Sequence, residues 1–359
     1  MDARRRRPVV HQEYGSGTSV ARRGTLESGS SDSPSGLPAG FVSRLLVESD
    51  YEEMSRVQAR RFPDHPVSAD EFRQRSRIVD ATENFQRRLA VEIKGSGELA
   101  GWGAIYNQPR TLDLDKYAIE VVVDPAAHRR GVGRYIYDSL ETVARERKAV
   151  ALWATVRAAD EQSVRFLAQC GFLEKRRAWL SRLELNLAAV SPVGRPSPGR
   201  GSGVVFTTIA EEGPDRREVQ DRLYRLASAA RLDEPSIGQT APPSFEEFLE
   251  ATFRGPGFLP EGIFVARVGD EYVAMTELSR IPNQPDTLFV HFTGTRREYR
   301  GKGLASELKR RSTEFAVSRK CRFLETANDS ENAPMWAINE RLGFKIERVY
   351  INGEKVLSQ

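Results

Sequence analysis

Apolar positions fall along the chain in two rhythms, and the order of the rhythms runs through twice. Short runs that alternate or stay unbroken predict strands, while apolar residues three and four apart predict helices. In the first half FVSRLLV is such a strand, and YEEMSRVQARRF starts a helix behind Asp50, an expected N-cap. RRLAVEIK and ELAGWGAIY read as hairpin strands joined through Gly95, Ser96 and Gly97, and KYAIEVVV as a strand ended by Asp124 and Pro125. GVGRYIYDSLETVARERK is helical, AVALWATV a buried strand, DEQSVRFLAQC a helix closed by Gly171, and FLEKRRAWLSRLEL a closing strand. The second half begins with strand VVFTTI, a helix over 215–230 and a helix at SFEEFLEATF, followed by strands GIFVARV, EYVAMTELSR and TLFVHFTGT. Helix GLASELKRRSTEFAVSR, strand RFLETA, helix NAPMWAINERL and strand FKIERVYI complete it. Each half is a mixed α/β unit ordered strand, helices, three strands, helix, strand, helix, strand.

The two halves share one numerical offset. Gly131 and Gly133 in HRRGVGR stand 172 positions before Gly303 and Ala305 in RGKGLAS, and Gly171-Phe172 stands 172 before Gly343-Phe344. Two landmarks 40 residues apart that keep one offset mark a tandem repeat. The repeats are expected over 41–187 and 204–359. A Gly/Ser/Arg/Pro-rich leader over 1–40 lacks the apolar content to offset its ordering entropy and is expected to be disordered. SPVGRPSPGRGSG, within a linker at 188–203, has the composition of an exposed connection.

Composition narrows the class. The 359 residues are comfortable for two cores, and 54 basic residues mixed with 50 acidic ones read as a solvated surface, not a nucleic-acid footprint. Cys170 and Cys321 have no CxxC or CxxH neighbour, so no disulfide framework and no metal site is expected. No apolar run reaches the roughly 18 residues that span a bilayer. Arg4 to Arg7 precede no apolar stretch of a secretory signal. These readings suggest a cytoplasmic protein, a monomer or homodimer, acting on small molecules.

Chemistry is concentrated where a strand passes through a glycine turn into a helix. Unpaired amides at a helix start, aided by the helix dipole, favour an anion, and glycine or alanine admits a phosphate close to the backbone. In the second repeat Arg300-Gly301-Lys302-Gly303-Leu304-Ala305 forms such a cradle, and Arg300 and Lys302 add positive charge. No GxxxxGK[ST] occurs, and no GxGxxG is followed by an acidic residue at dinucleotide spacing.

With Asn and a Gly-Phe pair further on, both repeats resemble the P-x-x-[RQ]-x-x-G-x-[GA] signature of GCN5-related N-acyltransferases. The likeness covers 41–187 and 204–357, and the tandem layout is similar to that of the mycothiol synthases. The resemblance implies two tandem folds of that family, an acetyl-CoA or other acyl-CoA cosubstrate bound by the turn's amides, and a primary amine acceptor. Arg300, Gly303 and Ala305 match the signature, although Arg297 replaces its proline. In the first repeat Pro125 is present but His128 replaces Arg or Gln. The C-terminal repeat is therefore the expected catalytic one and the N-terminal repeat a degenerate copy.

By the same resemblance the cofactor meets Thr293, Thr295, Arg300–Ala305, Asn328 and Asn332. The N-terminal counterparts are Val123, His128, Arg129, Arg130, Gly131, Val132, Gly133 and Arg134. Asn332 also suits a helix N-cap. His291 lies nine residues before Arg300, where arylalkylamine N-acetyltransferases carry a histidine implicated in deprotonating the amine; it reads equally as a strand histidine bonded to a carbonyl. Glu277 is a second base candidate, and Ile119 stands where His291 would be in the first repeat. The family's usual acid is a tyrosine five residues before the Phe of Gly-Phe. Asn339 and Leu167 stand there, and Asn339 could hydrogen-bond the CoA sulfur. The alternative function is a non-catalytic acyl-CoA or metabolite sensor built on a decayed pair.

Overall fold

The computed structural model describes residues 36–63, 67–80, 85–108, 111–186, 203–233, 235, 238, 240–255, 257–281 and 284–357. Leader residues 1–35 and linker residues 188–202 lie outside them, whereas 36–40 are structured: Phe41 N donates to the Pro38 carbonyl at 3.3 Å.

The first repeat runs β1 (Phe41–Leu45), α1 (Tyr51–Arg61), α2 (Ala69–Asp80), β2 (Gln86–Ile93), β3 (Leu99–Tyr106), β4 (Lys116–Val123), α3 (Val132–Glu146), β5 (Ala151–Arg157), α4 (Glu161–Gln169) and β6 (Leu173–Glu184). The second runs β7 (Val204–Thr208), α5 (Ile209–Glu212), α6 (Arg217–Arg231), α7 (Phe245–Phe253), β8 (Ile263–Val268), β9 (Glu271–Ile281), β10 (Gln284–Thr295), α8 (Leu304–Ser318), β11 (Phe323–Asp329), α9 (Ala333–Arg341) and β12 (Lys345–Val356). The predicted mixed α/β order is present in both. Asp50 does not cap α1 through its side chain: the carboxylate instead accepts from Val47 N at 2.8 Å and pairs with Arg44 at 2.6 Å.

Two compact units divide the fold, and they are not the two halves of the sequence. One comprises residues up to Arg73, Arg88–Gly103 and Val121–Asp138. Its core gathers Tyr51, Met54, Val57, Phe72, Trp102 and Val122, with Phe72 edge-on to Trp102 at 5.6 Å.

The other unit comprises Gln74–Arg87, Ala104–Glu120 and everything from Ser139. Its strands lie in the order β5-β12-β6-β11-β10-β9-β8-β7. β10 and β11 are parallel, and the remaining described pairings in that run are antiparallel. The sequence predicts that each repeat closes with its own last strand; the structure exchanges them. β6 lies between β11 and β12, and β12 pairs β5 on its far side. Insertion gives β6 a partner strand on both sides over Ala178–Arg182, which satisfies amides and carbonyls there. Arg182 of β6 pairs with Glu325 of β11 at 2.5 Å, and Trp179 meets Trp336 of α9 edge-on at 5.4 Å. Helices cover both faces of the β7–β11 portion. Leu308 and Phe315 of α8 pack with Phe264, Leu324 and Phe344 in one cluster. Leu223 and Leu226 of α6 and Phe248 of α7 pack with Val265, Met275 and Phe292 in the other.

Candidate active site

Parallel pairing of β10 with β11 runs through four residue pairs and stops at Val290–Thr326, where Thr326 Oγ1 donates to the Val290 carbonyl at 3.1 Å. β10 continues to Thr295 and β11 to Asp329, so the strands part beyond that bond. On its other side β10 carries a bulge. Val290 opposes Leu278 and Phe292 opposes Glu277, which leaves His291 as the inserted residue. A bulge bends the strand and re-aims the side chain it carries.

The fork opens into a cavity of ≈ 1020 Å³ whose wall includes His291, Thr293, Thr295, Asn328 and Asn332. Arg300, Gly301, Gly303, Leu304 and Ala305 form its end, and Ala178 of β6 contributes a wall from the first repeat. Strand edges exposed at the fork offer the donors and acceptors that an extended amide chain uses to add itself to a sheet.

The glycine turn is built as the sequence predicts. Gly301 (φ 73°) and Gly303 (φ 77°) are left-handed, and a side chain added to either meets nothing within 4 Å. Glycine is thus required here by conformation, and the space before the turn is open. Gly303 is the N-cap of the 15-residue α8, whose first amides lack intrahelical partners. Arg300 braces the loop: Nε donates to the Thr295 carbonyl at 3.1 Å while Nη2 pairs with Asp233. Asp233 also pairs with Arg297, and the two guanidiniums hold its carboxylate well below the usual range. Lys302 lies over the Tyr299 ring at 4.6 Å and is not on the cavity wall. Asp233 and Pro235 both line the cavity, so the segment after α6 supplies part of its rim.

The base candidates occupy different positions. His291 faces the cavity, shares a 2.6 Å hydrogen bond between Nε2 and Ser279 Oγ, and lies 4.9 Å from the Phe289 ring. It bonds a neighbouring hydroxyl, not a strand carbonyl. Its ring is exposed to the cavity, yet desolvation by the surrounding wall, reinforced by the Arg231 charge, lowers its pKa. Glu277 is not on the cavity wall; its side chain is 12% exposed and lies 3.8 Å from Arg231. Burial raises its pKa, and the guanidinium opposes the shift. Arg231 thus biases both groups from the end of α6.

Asn339 is completely buried and does not reach the cavity. Its Nδ2 donates to Asn328 Oδ1 at 2.6 Å, while its own Oδ1 has no partner. It orients Asn328, which does face the cavity. Asn332 caps α9 by accepting from Met335 N at 3.3 Å and lines the cavity as well. Thr293 Oγ1 bonds Thr276 Oγ1 at 2.8 Å, whereas the buried Thr295 hydroxyl is unpartnered.

The N-terminal turn keeps the frame and loses the opening. His128 Nε2 bonds the Val123 carbonyl at 3.0 Å, the bond that Arg300 makes to Thr295 at the 172-residue offset. Arg129 (φ 57°) takes the left-handed conformation of Gly301, at a cost of roughly 1–2 kcal/mol for a residue with a Cβ. A Cβ on Gly131 (φ 84°) meets Pro38 Cγ at 2.9 Å, so Pro38 sits against the turn. Arg130 stacks over Phe41 at 4.5 Å, Val132 is buried, and Arg134 pairs with Asp138 at 2.8 Å. Gly133 is the second residue of α3.

Arg231, Asp233, Ser279 and Lys309 are not singled out individually by the sequence, and Asp233 and Lys309 lie on the cavity wall. Lys309 carried no signal, because a lysine next to Leu308 is ordinary at the edge of an amphipathic helix's apolar stripe. Asp233 lies in the segment 231–260, where the sequence leads one to expect a wall of the acceptor pocket, and it does line the cavity. Among the described residues no cluster suited to a metal ion occurs, and no helix is long and apolar enough to cross a membrane.

Comparison with known proteins gives these features a family. The model of the acetyltransferase (GNAT) family matches residues 49–172 and 223–344. An 87-residue stretch is 33% identical to the L-2,4-diaminobutyric acid acetyltransferase of Methylotuvimicrobium alcaliphilum; it covers 24% of the chain and 51% of that protein, so the chain spans about half the length of this relative. A tandem GNAT protein from the clavulanic acid biosynthesis pathway superposes with a TM-score of 0.68 at 19% identity, over 89% of the chain and 99% of its own. A GCN5-related N-acetyltransferase from Sphaerobacter thermophilus gives 0.65 at 20% identity, over 89% and 97%. The chain belongs to the GNAT acetyltransferase family and carries its domain twice.

Proposed function

We propose that the chain transfers an acetyl or related acyl group from acyl-CoA to a primary amine of a small molecule, with the chemistry in the C-terminal repeat. The observation that carries this reading is the continuous cavity from the open glycine turn to the β10–β11 fork, with His291 on its wall. The pyrophosphate of acyl-CoA suits the amides at the start of α8, and the pantetheine arm suits the strand edges of the fork and Asn328. The relative that acetylates 2,4-diaminobutyrate supports a small amine as acceptor.

The acceptor nitrogen attacks the thioester carbonyl. A C–N bond forms, the C–S bond breaks, and the amine's proton passes to His291. His291 suits this task because its lowered pKa keeps it neutral near pH 7. Glu277 lies behind the wall and, with Arg231, sets the electrostatics around His291. With Asn339 buried on Asn328, the departing thiolate takes its proton from solvent; a thiol of pKa about 8.5 is a fair leaving group unaided.

The test is thiol release from acetyl-CoA over a panel of small primary amines. His291→Ala is expected to lower kcat at least tenfold, and Glu277→Gln to alter the pH profile as well as the rate. Full turnover in His291→Ala would remove the base assignment. The buried Asn339, in place of an acid, favours a second reading as an acyl-CoA sensor. CoA binding with no thiol release from any amine would select it.

A further inference from the structure

We propose that Lys309 is a further cofactor-binding residue, a buried cation at the cavity wall on which a phosphate group of acyl-CoA settles. The inference rests on the reading of the cavity as an acyl-CoA site. Lys309 lies one helical turn beyond Ala305 on α8, so both fall on one stripe of the helix and both line the cavity. The residue is 2% exposed. Its Nζ lies 5.4 Å from the Phe344 ring, and among the described residues no carboxylate pairs with it.

The charged groups on neighbouring elements are engaged elsewhere. On the strands beneath α8, Arg267 pairs with Glu212, Glu271 with Arg296 and Glu277 with Arg231. Arg280 donates to the Phe258 carbonyl, and Asp286 pairs with Arg322. His291 bonds Ser279, Glu325 pairs with Arg182 and Asp329 with Arg176. On α8 itself Glu307 pairs with Arg310 and Arg311, and Glu314 with Arg310. Arg341 of α9 donates to the Ala337 carbonyl. At the cavity rim Asp233 is held by Arg297 and Arg300.

A buried ammonium without a counter-ion is costly, and the protein relieves the cost by shedding the proton: burial brings the Lys309 pKa down to about 7. The fixed anions of acyl-CoA are its phosphates. A phosphate that enters the cavity supplies the missing counter-charge and raises the Lys309 pKa, so binding draws a proton from solvent. Arg300 must share itself with Asp233, whereas Lys309 has no carboxylate to leave.

Titration calorimetry of the full chain with CoA at pH 8, in two buffers of different ionisation enthalpy, tests this directly. At that pH free phosphates are already fully ionised, with a second pKa near ~6. Roughly one proton is expected to be taken up per CoA bound, falling away below pH 6 where Lys309 is already charged. Pantetheine, which lacks phosphate, should bind without uptake. Uptake retained with 3′-dephospho-CoA assigns the pyrophosphate, and uptake lost assigns the 3′-phosphate. Lys309→Met should abolish uptake and weaken CoA binding at least tenfold, while Lys309→Arg should restore binding without uptake. CoA binding with no proton uptake in the wild type, or with undiminished uptake in Lys309→Met, overturns the role of Lys309 alone. The wild-type result decides the matter if Lys309→Met does not fold. No CoA binding at all overturns the reading of the cavity and this inference with it.

Discussion

Arg231 joins the two groups that the sequence singles out for proton transfer. It pairs with Glu277, lies over the Phe292 ring at 4.2 Å, and lowers the pKa of His291 by its charge. Desolvation by the cavity wall is the larger cause of that lowering, so a reaction that needs neutral His291 should keep its rate down to pH values below the ordinary imidazole range near ~6.5. Replacing Arg231 by Met removes the cation and raises both pKa values. The acid limb of kcat/KM should then move to higher pH, and a limb that does not move would show that another group titrates. His291 and Glu277 were legible as residue types at a spacing. Their electrostatic link was not, because Arg231 lies 46 positions before Glu277 and meets it only in the fold.

Elements were legible where pattern and propensity agree. The strands and long helices of both repeats follow their apolar periods, and the turn at 300–305 declares itself by its glycines. The predicted order has helices here, but periodicity does not locate α2, because its apolar positions are sparse among charges. A local signal was present in Ser68 and Glu71, which form a reciprocal cap: Ser68 N donates to Glu71 Oε2 at 2.9 Å, and Glu71 N to Ser68 Oγ at 3.2 Å. The bulge at His291 was illegible, since register depends on the partner strand. The two turns, similar in sequence, differ in what stands before them. A side chain at Gly303 both disfavours its left-handed φ and projects into open space where the phosphate is proposed to lie. Gly303→Glu should therefore weaken CoA binding at least tenfold, measured by calorimetry. Gly131→Glu meets Pro38 and should lower the melting temperature while leaving CoA affinity unchanged. Equal loss of CoA affinity in both variants would place the cofactor in both repeats.

At the scale of the molecule, the exchange of closing strands makes the second repeat depend on the first. Periodicity marks β6 and β12 as strands but carries no information on which neighbour each will take. That choice belongs to cross-strand pairs such as Arg182 with Glu325 and to the packing of Trp179 on Trp336. Without β6, β11 and β12 lose the strand that joins them, and the cavity loses the wall at Ala178. Without β5, β12 loses a partner over seven residue pairs from Tyr350–Arg157 to Val356–Ala151. Residues 204–359 expressed alone should consequently be insoluble or molten, with weak near-ultraviolet circular dichroism and no CoA binding. Cleavage of the intact chain within 188–202 makes the complementary test. If strand exchange holds the halves, the two fragments should co-elute in size-exclusion chromatography without denaturant and retain CoA affinity. They should separate only at denaturant concentrations that unfold the sheet. A C-terminal fragment that folds cooperatively and binds CoA by itself would show that β11 and β12 can pair directly, and that β6 is dispensable to the site.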